Sequence, residues 1–172
     1  MASTYEPIAS TTLGSDVTEV TFSNIAADWN DLVVVSNGVN KYTSTTSSGA
    51  FLRLNGDSGT SYSATWVQGN GSTASSGRDT TINKLYLGRN SAGTNPASLN
   101  RSVFVASVMS YSNTNVYKTV LSASAAPDYG TYRIVGLWRS TAAITSVSIV
   151  VTGTNEYLGT GSTFDLYGIK AA

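Results

Sequence analysis

The sequence predicts an all-β protein: an antiparallel, jelly-roll-like β-sandwich of two sheets with about nine to ten strands, in one domain over residues 1–172. Three observations predict it. Short runs rich in Val, Ile, Thr and aromatic residues recur along the whole chain. Clusters of Gly, Asn, Asp and Ser separate them at turn spacing. No apolar stripe keeps the helical period beyond a single turn at 24–29, where Asn24 is a candidate cap.

Residues 1–13 form a candidate N-terminal arm, which either lies on its own sandwich or pairs with a neighbouring subunit's open edge. Residues 17–22 and 31–36 are β-branched or aromatic runs bounded by Asn, Asp and Gly. Residues 50–54 run into Asn55-Gly56-Asp57-Ser58-Gly59, dense turn chemistry, and 62–67 follow, so these two runs are expected to pair as a hairpin. Further strands are expected at 81–87, 102–111, 117–122, 132–139, 144–151 and 163–169. In the run at 144–151 the alternation is explicit. Val147, Ile149 and Val151 share a face while Ser146 and Ser148 point away, as in a half-buried strand. The hydroxyl- and glycine-rich links at 43–49, 69–77, 90–100 and 153–161 suit Greek-key or jelly-roll crossovers better than a meander.

The chain has no His and no Cys, whereas Ser and Thr exceed a quarter of its residues. Without His there is no ordinary general base near neutral pH, and a Ser–His dyad is impossible. Without Cys there is no thiolate nucleophile, disulfide or sulfur metal site. Charged residues make up only 12% and cancel to a net charge of zero, which gives no electrostatic footprint for nucleic acid or an anionic membrane. So uncharged a surface also does little to keep copies apart, which favours life inside an assembly. No catalytic residue, metal ligand or cofactor is expected, nor any membrane insertion.

The acids sit mostly beside Gly, Asn, Ser or Pro, where carboxylates cap turns, and no spacing suggests the facing pair of a glycosidase. The 55–59 segment lacks the alternating acids and closing Glu of a calcium loop and reads as a tight hairpin turn. Phe22, Phe51, Phe104 and Phe164 lie in apolar runs and read as core. Tyr42, Tyr62, Trp66 and Tyr129 lie near loops or strand ends, where a ring can stack on a sugar face or line a subunit contact. With Arg78 they are the candidate glycan or partner contacts.

Several segments are familiar as they stand. They include Ser3-Thr4-Tyr5-Glu6-Pro7, Leu54-Asn55-Gly56-Asp57, Met109-Ser110-Tyr111-Ser112-Asn113-Thr114 and Gly136-Leu137-Trp138-Arg139. The most specific is the ending Phe164-Asp165-Leu166-Tyr167-Gly168-Ile169. Together they resemble a broad group of tailed-bacteriophage virion structural proteins, especially from phages of aquatic and cyanobacterial hosts. The resemblance implies a non-enzymatic virion component assembled in the host cytoplasm. That component is a capsid decoration (cement) protein or part of a head or tail fibre. The expected partners are its own copies, as a homotrimer, and the major capsid protein or tail and fibre proteins. A second expectation is a fibre module that recognises host surface glycans through Tyr42, Tyr62 and Trp66. An enzyme such as a polysaccharide depolymerase would rest on carboxylates that the sequence leaves unplaced.

Overall fold

A computed structural model describes residues 5–42, 49–89, 101–127 and 129–170, with the side chains of Tyr42 and Arg89 left out. Among them the chain is all-β and its sheets are antiparallel. The strands are β1 (Tyr5–Thr12), β2 (Glu19–Phe22), β3 (Asp31–Gly38), β4 (Asn40–Tyr42), β5 (Gly49–Leu54), β6 (Tyr62–Gly69) and β7 (Ala74–Ile82). There follow β8 (Leu85–Arg89), β9 (Ser102–Val108), β10 (Lys118–Ala126), β11 (Gly130–Trp138), β12 (Val147–Val150), β13 (Glu156–Leu158) and β14 (Thr163–Ile169). One sheet has eight strands in the order β1-β14-β3-β9-β10-β11-β6-β7, a second has four in the order β2-β12-β5-β8, and β13 pairs with β4 in a small ribbon.

The two larger sheets stack, an arrangement compatible with a β-sandwich. Strand alternation explains why. Phe104, Ala106 and Val108 of β9, Val120 of β10, and Tyr132, Ile134 and Trp138 of β11 all point inward and are buried. They meet Leu52 and Leu54 of β5, Leu85 and Leu87 of β8, and Val147 and Ile149 of β12 in one apolar cluster running from Leu13 to Leu166. Each fully buried Leu, Ile or Val in it contributes about 1.5–3 kcal/mol. The chain passes between the two sheets from β1 to β2, β2 to β3, β5 to β6, β7 to β8, β8 to β9 and β11 to β12, and by way of the ribbon strands β4 and β13 from β3 to β5 and from β12 to β14.

Edge strand β8 presses closely onto the larger sheet because small residues face each other there. A Cβ added at Gly88 would lie 1.8 Å from Ser124 Oγ, and one at Gly136 would lie 2.7 Å from Leu85 Cδ2. Ser122 Oγ donates to the Leu87 carbonyl at 3.2 Å, so the hydroxyl on this apolar face is paired.

The structure differs from the sequence reading in four ways. There are fourteen strands among the described residues rather than nine to ten, since β1, β4, β7 and β13 add to the expected runs and β7 and β8 divide the run at 81–87. Residues 50–54 and 62–67 do not pair: β5 belongs to the four-stranded sheet and β6 to the eight-stranded one. The turn chemistry at 55–61 redirects the chain from one sheet to the other, with Asn55 and Gly56 at φ 53° and 65°. Residues 24–29 contain no helical turn, and Asn24 stands at φ 57°, not in the extended conformation of a cap. Finally, β12 is buried on both faces, with Ser148 Oγ 2.7 Å from Thr21 Oγ1 on neighbouring β2. The arm lies on its own chain, β1 pairing antiparallel with β14 from Tyr5↔Ile169 to Thr12↔Thr163. Of the expected links, residues 43–48 of the one at 43–49 and all of the one at 90–100 lie outside the described residues, and Gly49 begins β5.

Candidate functional site

Eight strands span about 34 Å at the usual interstrand spacing, and four span about half that. The smaller sheet therefore cannot cover the larger. Its edge strand β8 packs over β9, β10 and β11 and just reaches β6, while β7 packs on β6 alone among the larger contacts. The inner face of β6 and β7 is left open, and a groove of about 540 Å³ forms between it and β8.

The floor of the groove carries Trp66 and Gln68 from β6, Asp79 and Ile82 from β7, and Tyr132 from β11. The other wall carries Phe51 from β5, Tyr86 from β8, and Asn83 and Lys84 from the link between β7 and β8. Trp66 pairs across strands with Gly77, and a Cβ at Gly77 would lie 2.5 Å from indole Cζ2. Glycine there lets the ring lie down on the neighbouring strand. Trp66 Nε1 donates to Asp79 Oδ2 at 3.1 Å, which fixes the ring in its own plane.

The aromatic wall is continuous. Tyr129 stacks on Tyr132 at 6.4 Å between centroids, Tyr132 meets Tyr86 edge-on at 5.5 Å, and Tyr86 meets Phe51 at 5.4 Å. Lys84 Nζ lies 4.7 Å from the Phe51 ring centroid, within cation–π range. Burial, with the nearby Arg53 charge, pushes the Lys84 ammonium below its ordinary value.

The five expected contact residues separate. Trp66 lines the groove, and Tyr129 reaches it through its stack on Tyr132. Arg78 is exposed but opposite Thr65, on the other face of β7 from Gly77 and Asp79. Tyr62 is 0% exposed and offers no face to a ligand; its hydroxyl receives the Leu54 amide at 3.0 Å, and burial pushes the phenol up to about 12. The Tyr42 side chain lies outside the described residues. The sequence reading missed Phe51, Tyr86, Tyr132, Lys84 and Asp79. Only Tyr86 left a signal, a ring between Leu85 and Leu87 that must point opposite to two buried leucines.

Glu6, Asp16 and Asp57 are each engaged structurally. Glu6 Oε2 accepts from Trp29 Nε1 at 2.8 Å and faces Lys170 at 3.1 Å. Asp16 binds Lys41 at 2.6 Å and accepts the Thr160 amide at 2.9 Å. Asp57 accepts from Ser61, from the Gly59 amide and from Trp138 Nε1. Hydrogen bonds from Trp29, Lys41 and Ser61 respectively lead in holding these carboxyls below their usual range. Asp57 thus serves the crossover between sheets and not the hairpin turn expected at 55–59. Among the described residues no group of three or more His, Cys, Asp or Glu is placed to hold a metal, and no helix is long and apolar enough to cross a membrane.

The outer face of the eight-stranded sheet is the second notable surface. Val67, Val103, Val105, Leu121 and Val135 point away from the core and are 39–53% exposed. Register sets them side by side: Leu121 lies between Ser107 and Val135, and Val105 between Val35 and Ala123. Val67, Val105, Leu121 and Val135 border a shallow trough of about 790 Å³. No protein-family model matches the chain, and neither does any curated protein.

Proposed function

We propose that this chain is a non-catalytic virion structural protein, a capsid decoration protein that self-associates and stabilises the shell. The observation that carries the reading is the exposed apolar outer face of the eight-stranded sheet. Burying it against another copy or a capsid subunit releases ordered water at about 25 cal/mol per Å² of apolar area. Six neighbouring strands, β14 through β6 in sheet order, offer a patch about 24 Å wide, near the size of a standard interface side. The patch carries both halves of an ion pair for a second copy. Asp165 and Arg133 lie in one cross-strand row, Asp165–Val35–Val105–Ala123–Arg133. The sheet-switching crossovers support a jelly-roll-like class, and the resemblance to tailed-phage virion proteins supports a homotrimer on the particle.

The test is sedimentation of the purified chain beside binding to shells that lack it. Self-association and shell binding are expected, and Leu121→Lys with Val135→Lys abolishes both while leaving the fold intact. A wild-type chain that stays monomeric at high concentration and binds no such shells overturns the reading.

A further inference from the structure

We propose that the groove between β8 and the β6–β7 hairpin is a binding site for a short, uncharged saccharide. This goes beyond assembly through the outer face and does not depend on it, since the groove opens on the inner side of the sheet.

The chemistry of a pyranose asks for two things at once. Its axial C–H faces need a flat apolar surface, and its rim of hydroxyls needs both donors and acceptors. The groove supplies both within about 540 Å³, inside the range of small-molecule sites. Trp66 is the platform. Gly77 beneath it and the bond to Asp79 hold the indole in place before any ligand arrives, so little ordering entropy is lost on binding. Phe51 and Tyr86, packed at 5.4 Å, form the facing apolar wall.

Around these rings, Lys84 donates, Asp79 accepts, and Gln68 and Asn83 can do either. The single positive and single negative side chain oppose each other's field across the groove. An anionic ligand meets Asp79 and a cationic one meets Lys84, so a neutral polyhydroxyl ligand suits the site best. The Lys84 ammonium lies over the Phe51 ring, 4.7 Å from its centroid, beside the facing apolar wall.

Tryptophan fluorescence reads the site directly, because Trp138 is 3% exposed and Trp29 is tied to Glu6, leaving Trp66 as the indole in the groove. The purified chain is titrated with methyl glycosides of glucose, galactose and N-acetylglucosamine, with lactose and cellobiose, and with glucuronate and glucosamine as charged controls. At least one neutral sugar is expected to shift the emission with millimolar affinity, a binding free energy of about −4 kcal/mol. Trp66→Phe keeps binding measurable by calorimetry. Trp66→Ala weakens it at least tenfold, and Lys84→Gln and Asp79→Asn, both surface changes, weaken it several-fold, all without altering sedimentation. The proposal is overturned if no neutral sugar binds up to about 50 mM. It is equally overturned if only the charged sugars bind, or if Lys84→Gln and Asp79→Asn bind as the wild type does. Loss of shell binding in the outer-face variants leaves these titrations unchanged.

Discussion

Trp138 Nε1 donates a hydrogen bond to Asp57 Oδ2 at 2.6 Å, joining the end of β11 to the link between β5 and β6. The same carboxylate takes Ser61 and the Gly59 amide, so one acid fixes the chain where it leaves one sheet for the other. Asp57→Ala is expected to cost about 2–3 kcal/mol in urea unfolding, because three donors lose a charged acceptor. The acid limb follows from the same contacts. A folded carboxyl below its unfolded value contributes stability that is complete above about pH 4 and is lost as pH falls through the folded value. Asp57→Asn should therefore flatten part of the acid limb, measured as midpoint against pH, with Glu6 and Asp16 supplying the rest.

Asn55 anchors the other end of that link. Its side chain accepts the Thr145 and Ser146 amides at 2.8 and 3.1 Å and donates to the Ala143 carbonyl at 2.8 Å, while its backbone stands at φ 53°. Side-chain bonding and backbone tolerance can be separated. Asn55→Gly loses the bonds but keeps the left-handed backbone, and is expected to cost about 2 kcal/mol. Asn55→Ala adds about 1 kcal/mol of backbone strain. A glycine variant as stable as the wild type would mean that the side-chain bonds contribute nothing.

The all-β class was legible because alternation is local. Phe164 reads as core from the apolar run around it, and it is buried. Glycine in the same ending has a reason the sequence does not carry: a Cβ at Gly168 would lie 2.2 Å from Trp29 Cγ, so an indole more than a hundred residues away requires it. Pairing was less legible for the same reason. The 55–59 segment has turn chemistry, but whether it closes a hairpin or changes sheets depends on Trp138 and on residues 143–146, which are remote in sequence. Of the expected contact residues, Trp66 and Tyr129 lie at or beside the groove. Tyr62 reads as accessible because it begins a strand after a loop, yet that loop folds back over it and its hydroxyl also donates to Asp57 O at 3.2 Å.

Lys118 is 0% exposed, and its ammonium donates to the carbonyls of Asn113, Val116 and Thr141. Burial pushes it below the ordinary lysine value. It organises the 109–117 link as a central donor would. Lys118→Met keeps most of the volume but leaves three carbonyls without their donor, and is expected to cost about 2–4 kcal/mol by denaturant midpoint. Mass-spectrometric acetylation of the native protein should label Lys118 last among the lysines, and early labelling would contradict its burial.

Close approach of β8 to β10 rests on Gly88, which stands at φ 130° with Ser124 directly against the place a Cβ would occupy. Gly88→Ala must therefore strain the backbone and push β8 off the larger sheet at the same time. A loss of about 3 kcal/mol is expected. Gly14 supplies the contrast: a Cβ there meets nothing within 4 Å, so Gly14→Ala should be neutral or stabilise by up to about 1 kcal/mol. Ser124→Gly removes the side chain that the new methyl would strike. In a double-mutant cycle it should recover the steric part of the Gly88→Ala loss and leave the φ part. Full additivity of the two changes would show that β8 is held by something other than this contact. Because β8 carries Tyr86, Gly88→Ala should also displace the aromatic wall of the groove and lower saccharide-induced quenching of Trp66.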